Sequence, residues 1–495
     1  MKLPSDRAAL FKLAFTIVAA VTAIRILVLV LTPLQLYPDE AQYWWWAQTP
    51  DWGYFSKPPL IAWLIWLTTR LSDAEWAIRL ASPLLHAGTA LVLFGIGRMA
   101  FDSRVGFWSA IAYATLPGVS YSSGLSSTDV PLLFCWAVAL YAFLSALDDS
   151  RWRWPVLCGF AIGIGLLAKY AMIYFLLGAL AAVVVASRTR TLVFSIRGLV
   201  IVLLALLILS PNIVWNAAHG FPTLAHTEAN ANWGHAKFDI GNAATFLVAQ
   251  FGVFGPLMMA GWLGAVWYIR RPADERESVL ILLAFSVPVL ILVTIQSFIS
   301  DANANWAAPA YIAAVPLAVW TLLQWWQARG LWLSLALSGV AMFGLWSAQI
   351  RPAAADALRL GNAFKREEGW REMGFAVANA ARGSTYDAIA AANRSVLAEL
   401  LYYSRPRSAP IRAWDRSAVP HDHFQMTMPL LSGARHVLVV TAPDEAPAVL
   451  ASFDSRHLLT TLNIRLGSHH RRVLALYDAR NFHGPQLAGP PQQHQ

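Results

Sequence analysis

Residues 12–46, KLAFTIVAAVTAIRILVLVLTPLQLYPDEAQYWWW, join a long apolar run to a short acidic and aromatic segment. The apolar part, residues 12–34, is long enough to cross the hydrocarbon core of a bilayer, which takes about 20 residues. Lys2 and Arg7 precede it and Lys12 opens it, as in a signal peptide, but the run is longer than a signal core. We therefore expect a retained first transmembrane helix that leads directly into a polar segment.

Similar apolar runs recur as far as residue 350. Of the 495 residues, 57% are hydrophobic and 13% are charged, whereas a soluble chain carries about 25% charged residues. The predicted spans are 12–34, 77–99, 105–122, 130–147, 155–168, 170–186, 198–215, 243–269, 279–299, 307–326 and 331–350. The shorter apolar stretch 59–71 is expected either to lie at the membrane surface or to form a half-buried helix. The pattern predicts an all-α polytopic domain with about eleven transmembrane helices, within a range of about 10–13.

The basic residues predict the orientation of these spans. With the N-terminus in the cytoplasm, the cytoplasmic segments hold Lys2, Arg7, Lys12, Arg104, Arg151, Arg153, Arg188, Arg190, Arg197, Arg270, Arg271, Arg276 and Arg329. Cytoplasmic loops are enriched in Lys and Arg, and this enrichment also explains the net charge of +9. Because the charges are spread over many loops, they do not indicate a nucleic-acid partner.

The composition changes near residue 350, where charged residues return and no later run could span a membrane. We expect residues 1–350 to form the transmembrane domain, with a first outer loop at 35–76 that carries juxtamembrane helices. Residues 351–483 are expected to form a periplasmic α/β domain, and 484–495 a disordered tail. Within the α/β domain, the pattern predicts helices at 362–381 and 394–403 and strands at 386–392, 435–441 and 471–477.

In this orientation, the unusual polar residues lie on the periplasmic side of a bacterial inner membrane. They are Asp39, Glu40, Tyr43, Lys57, Asp129, Lys169, Tyr170, His219, His226, Asn305 and Trp306. Charged residues at the ends of membrane helices usually face a cavity or a partner. We therefore expect these loops to converge on a polar cavity at the outer leaflet.

The first loop holds the densest group of polar residues. Pro38 can open a helix, and Asp39 and Glu40 then occupy its first turn, where carboxylates either act in chemistry or simply cap the helix. Lys57 precedes two prolines in an extended segment and could bind a lipid phosphate or only reach the headgroups. The tryptophans at 44–46 could rest in the headgroup zone.

The later loops leave similar alternatives. Asp129 opens a span and could be an N-cap or a functional carboxylate. His219 and His226 are seven residues apart with a proline between them, which favours loop structure or substrate contacts over a metal pair. Asn305 and Trp306 could be a helix cap and an interfacial anchor. Cys135 and Cys158 lie in apolar runs and are expected to be packing residues.

Several segments together resemble the GT-C glycosyltransferases that use polyprenyl-phosphate sugars, in the branch similar to protein O-mannosyltransferases and the lipid A aminoarabinose transferase. The carrying segments are YPDEAQY at 37–43, FSKPPL at 55–60, TDVP at 128–131, LLAKY at 166–170, PNIVWN at 211–216 and NW at 305–306. Their order and shared topology match that family over most of residues 10–350. The resemblance implies a GT-C type transmembrane domain.

Two positions depart from the family pattern. Gln42 stands where members often carry Arg, which removes one charge that could meet the donor phosphate or sugar. Ser56 stands where the lysine is often preceded by Glu, which removes a carboxylate that could join a histidine in binding a metal. We therefore expect metal-independent chemistry with no cofactor, although a divalent metal is left open.

The resemblance implies transfer of a sugar from undecaprenyl phosphate to an envelope acceptor such as lipid A, a glycan or a protein, with inversion. Asp39 is the leading base, with Asp129 as its support or as the alternative base, and Glu40 is the other acidic candidate. Lys57, Tyr43 and Lys169 are expected to bind the donor phosphate. The expected substrate contacts are His219, His226, Tyr170, Asn305 and Trp306.

Two other functions compete with this one. A transporter or flippase for a lipid-linked sugar would share the polar cavity, but it would favour inverted repeats and helices broken near the midplane. A scaffold that binds envelope partners would leave Asp39, Lys57 and Asp129 unexplained. The pattern favours the transferase, but the sequence identifies neither its sugar nor its acceptor.

Overall fold

A computed structural model describes residues 6–270, 273–326, 328–357, 364–415, 419–467 and 470–484. Most of the chain is helical, and one five-stranded sheet lies near the C-terminus. The predicted disordered tail lies outside the described residues except for Gly484, as do residues 362–363 of the predicted helix 362–381. Residues 364–369 of that prediction form turns instead, and the helix begins at Trp370, directly after Gly369 with its positive φ of +78°.

The helices are numbered in chain order. They are α1 Arg7–Leu31, α2 Pro38–Gln48, α3 Leu60–Thr68, α4 Glu75–Arg79, α5 Ala81–Ala100, α6 Ser103–Thr115, α7 Pro117–Ser122, α8 Asp129–Asp148, α9 Arg153–Ala168, α10 Tyr174–Val185, α11 Ser187–Val193, α12 Ile196–Ala218, α13 Pro222–Ala231, α14 Ile240–Phe254, α15 Pro256–Gly264, α16 Ala273–Ala284, α17 Val287–Ile299, α18 Ala308–Trp326, α19 Arg329–Ile350, α20 Pro352–Ala357, α21 Trp370–Arg382, α22 Arg394–Tyr403, α23 His423–Thr427 and α24 Ala446–Leu450. The strands are β1 Ala388–Ala391, β2 Ile411–Ala413, β3 His436–Thr441, β4 Phe453–Leu466 and β5 His470–Phe482.

The chain forms two compact units. The first unit comprises Met1–Leu31, Asp51–Gly53 and Lys57–Trp346, and the second comprises Thr32–Pro50, Tyr54–Ser56 and Ser347–Gln495. The segment 32–50 lies next to α1 in sequence, yet it belongs to the same unit as the C-terminal residues.

The first unit is a helix bundle around an apolar core. Helix α5 packs on α6 and α8, α8 packs on α9, and α15 packs on α18. The apolar windows of α8 and α18 are 78% and 83% buried, whereas that of α12 is 28% buried. Helices α8 and α18 therefore form the centre of the bundle. The apolar residues of α12 are mostly exposed, as expected for a helix that faces lipid.

Seven helices in the described ranges are long and apolar enough to cross a membrane, or eight if the bent pair α14–α15 counts as one span. Helix α9 and the segment Tyr170–Val185 are also apolar but shorter. A 16-residue helix is only ~24 Å long, less than the ~30 Å hydrocarbon core. The all-α membrane architecture is thus confirmed, whereas the count of eleven spans is not.

Two predicted continuous spans are broken at prolines. The run 105–122 divides into α6 and α7 before Pro117, and the run 243–269 bends by 104° between α14 and α15. Gly255 at this bend has a φ of +87°, which non-glycine residues rarely adopt, and Pro256 has no N–H to continue the helical bonding. Apolar composition alone did not reveal these breaks.

The sheet of the second unit has the strand order β2–β1–β3–β5–β4. Strands β1, β2 and β3 run parallel, while β5 is antiparallel to both β3 and β4. The predicted strands 386–392, 435–441 and 471–477 correspond to β1, β3 and β5. The sequence did not predict β2, which has three residues, or the edge strand β4, whose side chains are mostly exposed and lack an apolar pattern.

Helix α2 packs on α22 within the second unit. Two of its three tryptophans, Trp44 and Trp46, are buried among residues of that unit and so do not rest among lipid headgroups, which the sequence leaves possible. Trp44 is 3% exposed and contacts Tyr402 edge to face, and Trp46 is 1% exposed and stacks on Tyr54. The contact between Trp44 and Tyr402 attaches α2 to α22.

Candidate functional site

Asp39 lies in the first turn of α2, where Pro38 and the dipole of the helix favour a carboxylate. The Nη1 group of Arg394, the first residue of α22, donates to Asp39 Oδ1 over 2.8 Å and to Gln42 Oε1 over 2.9 Å. The Asp39 and Arg394 side chains are 42% and 39% exposed. Within the described parts of the chain, Asp39 Oδ2 accepts no hydrogen bond, so this oxygen can take a proton from a substrate.

Glu40, the other acidic candidate in α2, is 1% exposed. Its Oε2 atom accepts the backbone N–H of Tyr37 over 2.9 Å, which satisfies a donor at the start of the helix. The geometry favours a structural role for this carboxylate. We therefore do not propose Glu40 as a base.

Tyr43 is also largely inside the second unit, with 5% exposure. Its ring lies 5.2 Å from that of Trp46, which in turn contacts His423 edge to face at 5.3 Å. The candidate base therefore stands on a helix that aromatic packing holds in place within the second unit.

In the first unit, Asp129 bonds side chains from two other predicted outer loops. Lys169 Nζ donates to its Oδ1 atom and Asn305 Nδ2 donates to its Oδ2 atom, each over 2.7 Å. The side chains of Asp129 and Lys169 are 12% and 21% exposed. Thr128 occupies the N-cap position of α8 and Asp129 follows it, so the reading of Asp129 as the N-cap is wrong.

Tyr170 joins a second polar network in the first unit. Its hydroxyl donates to Asn212 Oδ1 over 2.7 Å and accepts from Asn216 Nδ2 over 3.2 Å. Asn212 also donates to the carbonyl of Trp52, and Trp215 Nε1 donates to Asp51 Oδ2, each over 2.7 Å. These bonds link α12 to the segment 51–53.

The two predicted histidines lie on different elements. His219 follows α12, its ring stacks on Trp215 at 4.2 Å, and its Nδ1 atom is 2.8 Å from the Trp215 carbonyl oxygen. His226 is half-buried on α13, beyond the left-handed residues Gly220 and Phe221. The break confirms that the two side chains do not belong to one helix face.

Two further predicted site residues, Trp306 and Lys57, are half-buried. Trp306 is half-buried in the 3-10 turn Ala304–Ala307 and packs against a small cluster that includes Phe246 and Val293. Lys57 is half-buried in the segment before α3. Among the residues described, no group of three or more His, Cys, Asp or Glu side chains could hold a metal ion; metal independence itself stays a prediction.

Sequence reasoning missed Arg394 and Asn212. Arg394 is 352 positions from Gln42, so no local pattern connects them. The departure of Gln42 from the resembled family pattern was the available signal, because a cation that is absent from α2 can come from another part of the chain. Asn212 lies in a quoted family segment, but its position in an apolar helix did not single it out.

Comparison with known proteins agrees with this fold. The family described as dolichyl-phosphate-mannose-protein mannosyltransferase matches residues 56–215. The chain is 36% identical over 419 residues to the lipid A galacturonosyltransferase RgtD of Rhizobium johnstonii, covering 84% of this chain and 87% of that protein. It is 27% identical to the lipopolysaccharide core galacturonosyltransferase RgtA of the same organism, covering 41% of this chain and 42% of that protein.

Two solved structures share the fold over nearly their whole length. The crystal structure of ArnT from Cupriavidus metallidurans bound to undecaprenyl phosphate superposes with a TM-score of 0.67 at 18% identity, covering 96% of this chain and 99% of that one. The apo structure gives a TM-score of 0.66 at 17% identity, covering 95% and 99%.

Fold and comparisons define the class: the protein is a multi-pass membrane glycosyltransferase with a GT-C fold. The chain belongs to the family of GT-C glycosyltransferases that contains the lipid A galacturonosyltransferase RgtD. The resemblance inferred from the sequence motifs is therefore confirmed, and the transferase is favoured over a transporter or a scaffold.

Proposed function

We propose that the protein transfers galacturonic acid from a polyprenyl phosphate to lipid A. The observation that carries this proposal is the similarity to a lipid A galacturonosyltransferase over 84% of the chain. A shared fold with a structure that holds undecaprenyl phosphate supports the lipid-phosphate donor.

In the proposed reaction, an acceptor hydroxyl attacks the anomeric carbon of the donor sugar. The new bond joins the acceptor oxygen to that carbon, and the bond to the phosphate oxygen breaks. The electron pair leaves with the polyprenyl phosphate, and the acceptor proton goes to a base. A single displacement inverts the anomeric centre.

Asp39 is the better base of the two aspartates. Its Oδ2 atom is open and its side chain is 42% exposed, whereas both oxygens of Asp129 are engaged by Lys169 and Asn305. We assign Asp129 the role of holding the Lys169 ammonium group in position. Lys169 and Lys57 then supply positive charge for the departing phosphate, while Tyr170 and His219 remain candidates for sugar contacts.

The proposal also places the N-terminus in the cytoplasm and the second unit in the periplasm. This orientation follows from the basic residues of the predicted cytoplasmic loops. It matches a donor whose phosphate is presented at the outer leaflet.

A transfer assay with purified enzyme tests the function. The donors are polyprenyl-phosphate galacturonate and its neutral counterpart, polyprenyl-phosphate galactose, and the acceptor is lipid A. We expect transfer by the wild type and a loss of turnover of roughly 100-fold or more in Asp39→Asn, since base catalysis contributes about 10²–10⁴-fold. Asp454→Asn, an exposed carboxylate on β4, is the matched control.

Lys57→Ala is expected to weaken donor use, with the exposed Lys12→Ala on α1 as its control. Donor binding or translocation without transfer by the wild type would reject the proposed activity. Near wild-type turnover of Asp39→Asn would reject only the assigned base.

A further inference from the structure

A cavity of about 400 Å³ lies within the second unit, beside the first turn of α2. Tyr37, Arg366, Arg394, Glu445 and Arg472 contribute to its lining. Ligand pockets in proteins have volumes of about 300–1,000 Å³, so this cavity can hold a sugar. Three guanidinium groups around one small cavity favour an anionic ligand.

The three arginines are not equivalent. Arg472 lies 3.2 Å above the ring of Trp370 and donates to the carbonyl of Glu368 over 2.6 Å, so its position is fixed by the unit itself. Burial lowers the pKa of Arg472 to about 10, which leaves it charged at neutral pH. Arg366 is exposed and bonds the Tyr37 hydroxyl.

Arg394 combines a fixed position with open donors. Its Nη1 group donates to Asp39 and Gln42, while its Nε and Nη2 groups donate to no acceptor in the parts of the chain that the structure describes. A guanidinium presents donors in a planar fork that matches a carboxylate. Arg394 can therefore hold Asp39 with one nitrogen and an anionic ligand with the others.

Arg394 supplies the positive charge beside Asp39 from a different element. Its guanidinium comes from α22 and bonds both Asp39 and Gln42 on α2. The same arginine lines the cavity, so one cation contacts both the candidate base and the space that a ligand can fill.

Glu445 provides a complementary acceptor in the same lining. Its Oε2 atom is buried and, among the described residues, has no hydrogen-bond donor. A carboxylate in this state is suited to accept a sugar hydroxyl, since an unsatisfied buried acceptor is costly. Guanidinium donors and one open acceptor together fit a ligand that carries both a carboxylate and hydroxyl groups.

We propose that Arg394 binds the carboxylate of the uronic acid that the enzyme transfers, and so selects a uronate over a neutral sugar. The proposal rests on the proposed function for the identity of the sugar. If Asp39 acts at the anomeric centre, the carboxylate of the same sugar ring lies within reach of the arginine bonded to Asp39. A neutral hexose offers no partner for that cation.

The test compares donors as well as variants. We measure kcat/KM of the purified full-length enzyme with polyprenyl-phosphate galacturonate and polyprenyl-phosphate galactose, for the wild type, Arg394→Gln, Arg394→Lys and the control Arg480→Gln. Arg480 is exposed on β5 and pairs with Asp478. We expect Arg394→Gln to reduce the uronate-to-neutral ratio by roughly 10- to 100-fold, as for loss of a charged hydrogen bond.

Arg394→Lys should reduce the uronate-to-neutral ratio less than Arg394→Gln does. Lysine keeps the positive charge but lacks the planar pair of donors that a guanidinium offers to a carboxylate. The double variant Arg394→Gln, Gln42→Arg should regain part of the ratio, because it returns a guanidinium to the neighbourhood of Asp39. An equal loss with both donors would overturn the proposal and leave Arg394 as a positioning residue for Asp39.

A binding measurement separates this proposal from the proposed function. We measure thermal stabilisation of the wild type and Arg394→Gln by free galacturonate, galactose and inorganic phosphate. Stabilisation by galacturonate that Arg394→Gln abolishes supports the carboxylate site even if no transfer to lipid A is seen. Stabilisation by phosphate alone, or by galactose equally well, would overturn it.

Discussion

Asp129 and Lys169 form an ion pair inside the first unit, and the Asn305 amide bonds the second carboxylate oxygen. With side-chain exposures of 12% and 21%, both groups are largely removed from water. The pair orients Lys169 and neutralises part of its charge. Asp39, in contrast, keeps an open oxygen and a more exposed side chain.

The neutral substitution Asp129→Asn should destabilise the first unit, because it leaves the Lys169 ammonium largely buried without a counter-charge. Breaking a buried pair costs about 3–5 kcal/mol, and the residual exposure of Lys169 places the expected loss at about 3 kcal/mol. The measurement is thermal unfolding of the purified protein in detergent. The double variant Asp129→Asn, Lys169→Gln should recover part of the loss, and an unchanged melting temperature for Asp129→Asn would contradict the role of the pair.

At the scale of the helix, Glu40 caps the N-terminus of α2. The Glu40 carboxylate accepts the Tyr37 N–H, and Pro38 in the first turn has no N–H of its own. Two positions at the start of the helix therefore leave no backbone donor without an acceptor. The aromatic residues of α2 then attach it to α22 and its neighbours. This attachment holds Asp39 beside Arg394.

Glu40→Ala should destabilise the second unit by about 1 kcal/mol, since it removes a capping acceptor. Glu40→Gln should retain most of the stability, because the amide oxygen can still accept the Tyr37 N–H. Thermal unfolding and the transfer assay are measured on both variants. If Glu40→Gln folded as the wild type but lost turnover as Asp39→Asn does, Glu40 would be a catalytic carboxylate after all.

Close packing of α5 on α6 depends on a residue without a side chain. A Cβ added at Gly106 would lie 2.4 Å from the Phe94 carbonyl oxygen, so the backbones would have to separate. Small residues allow membrane helices to approach in this way. We expect Gly106→Ala to cost about 1–3 kcal/mol, as overpacking does.

The matched control for Gly106→Ala is Gly339→Ala on α19, where an added Cβ meets nothing within 4 Å. It should be neutral or slightly stabilising, because alanine favours a helix more than glycine does. The two variants are compared by thermal unfolding in the same detergent. Equal stability of both would argue against the close α5–α6 packing.

For the whole molecule, the central prediction is orientation. The two native cysteines, Cys135 and Cys158, are buried, so single exposed cysteines can be labelled selectively. We expect a membrane-impermeant maleimide added to intact spheroplasts to label Ser432→Cys and to label Arg104→Cys only after lysis. Both positions are exposed in the structure. Labelling of Arg104→Cys in intact spheroplasts would invert the proposed topology.

Much of the architecture could be predicted because it depends on local patterns. Long apolar runs need a bilayer or a core wherever they lie, and the family motifs are contiguous segments with a fixed order. These features identified the all-α membrane domain, the sheet-bearing C-terminal domain and the transferase class. They were less reliable where a single Pro or Gly divided a run, as at Pro117 and Gly255.

Contacts between distant positions could not be predicted in this way. Neither the partners of Asp129 nor the bond between Arg394 and Asp39 has a local signal, since Arg394 is 355 positions away. The sequence also grouped α2 with the helices beside it, whereas aromatic packing places α2 in the second unit. Hydrophobicity and motif order are properties of single segments, but the environment of a carboxylate depends on which remote side chains the folded chain brings to it.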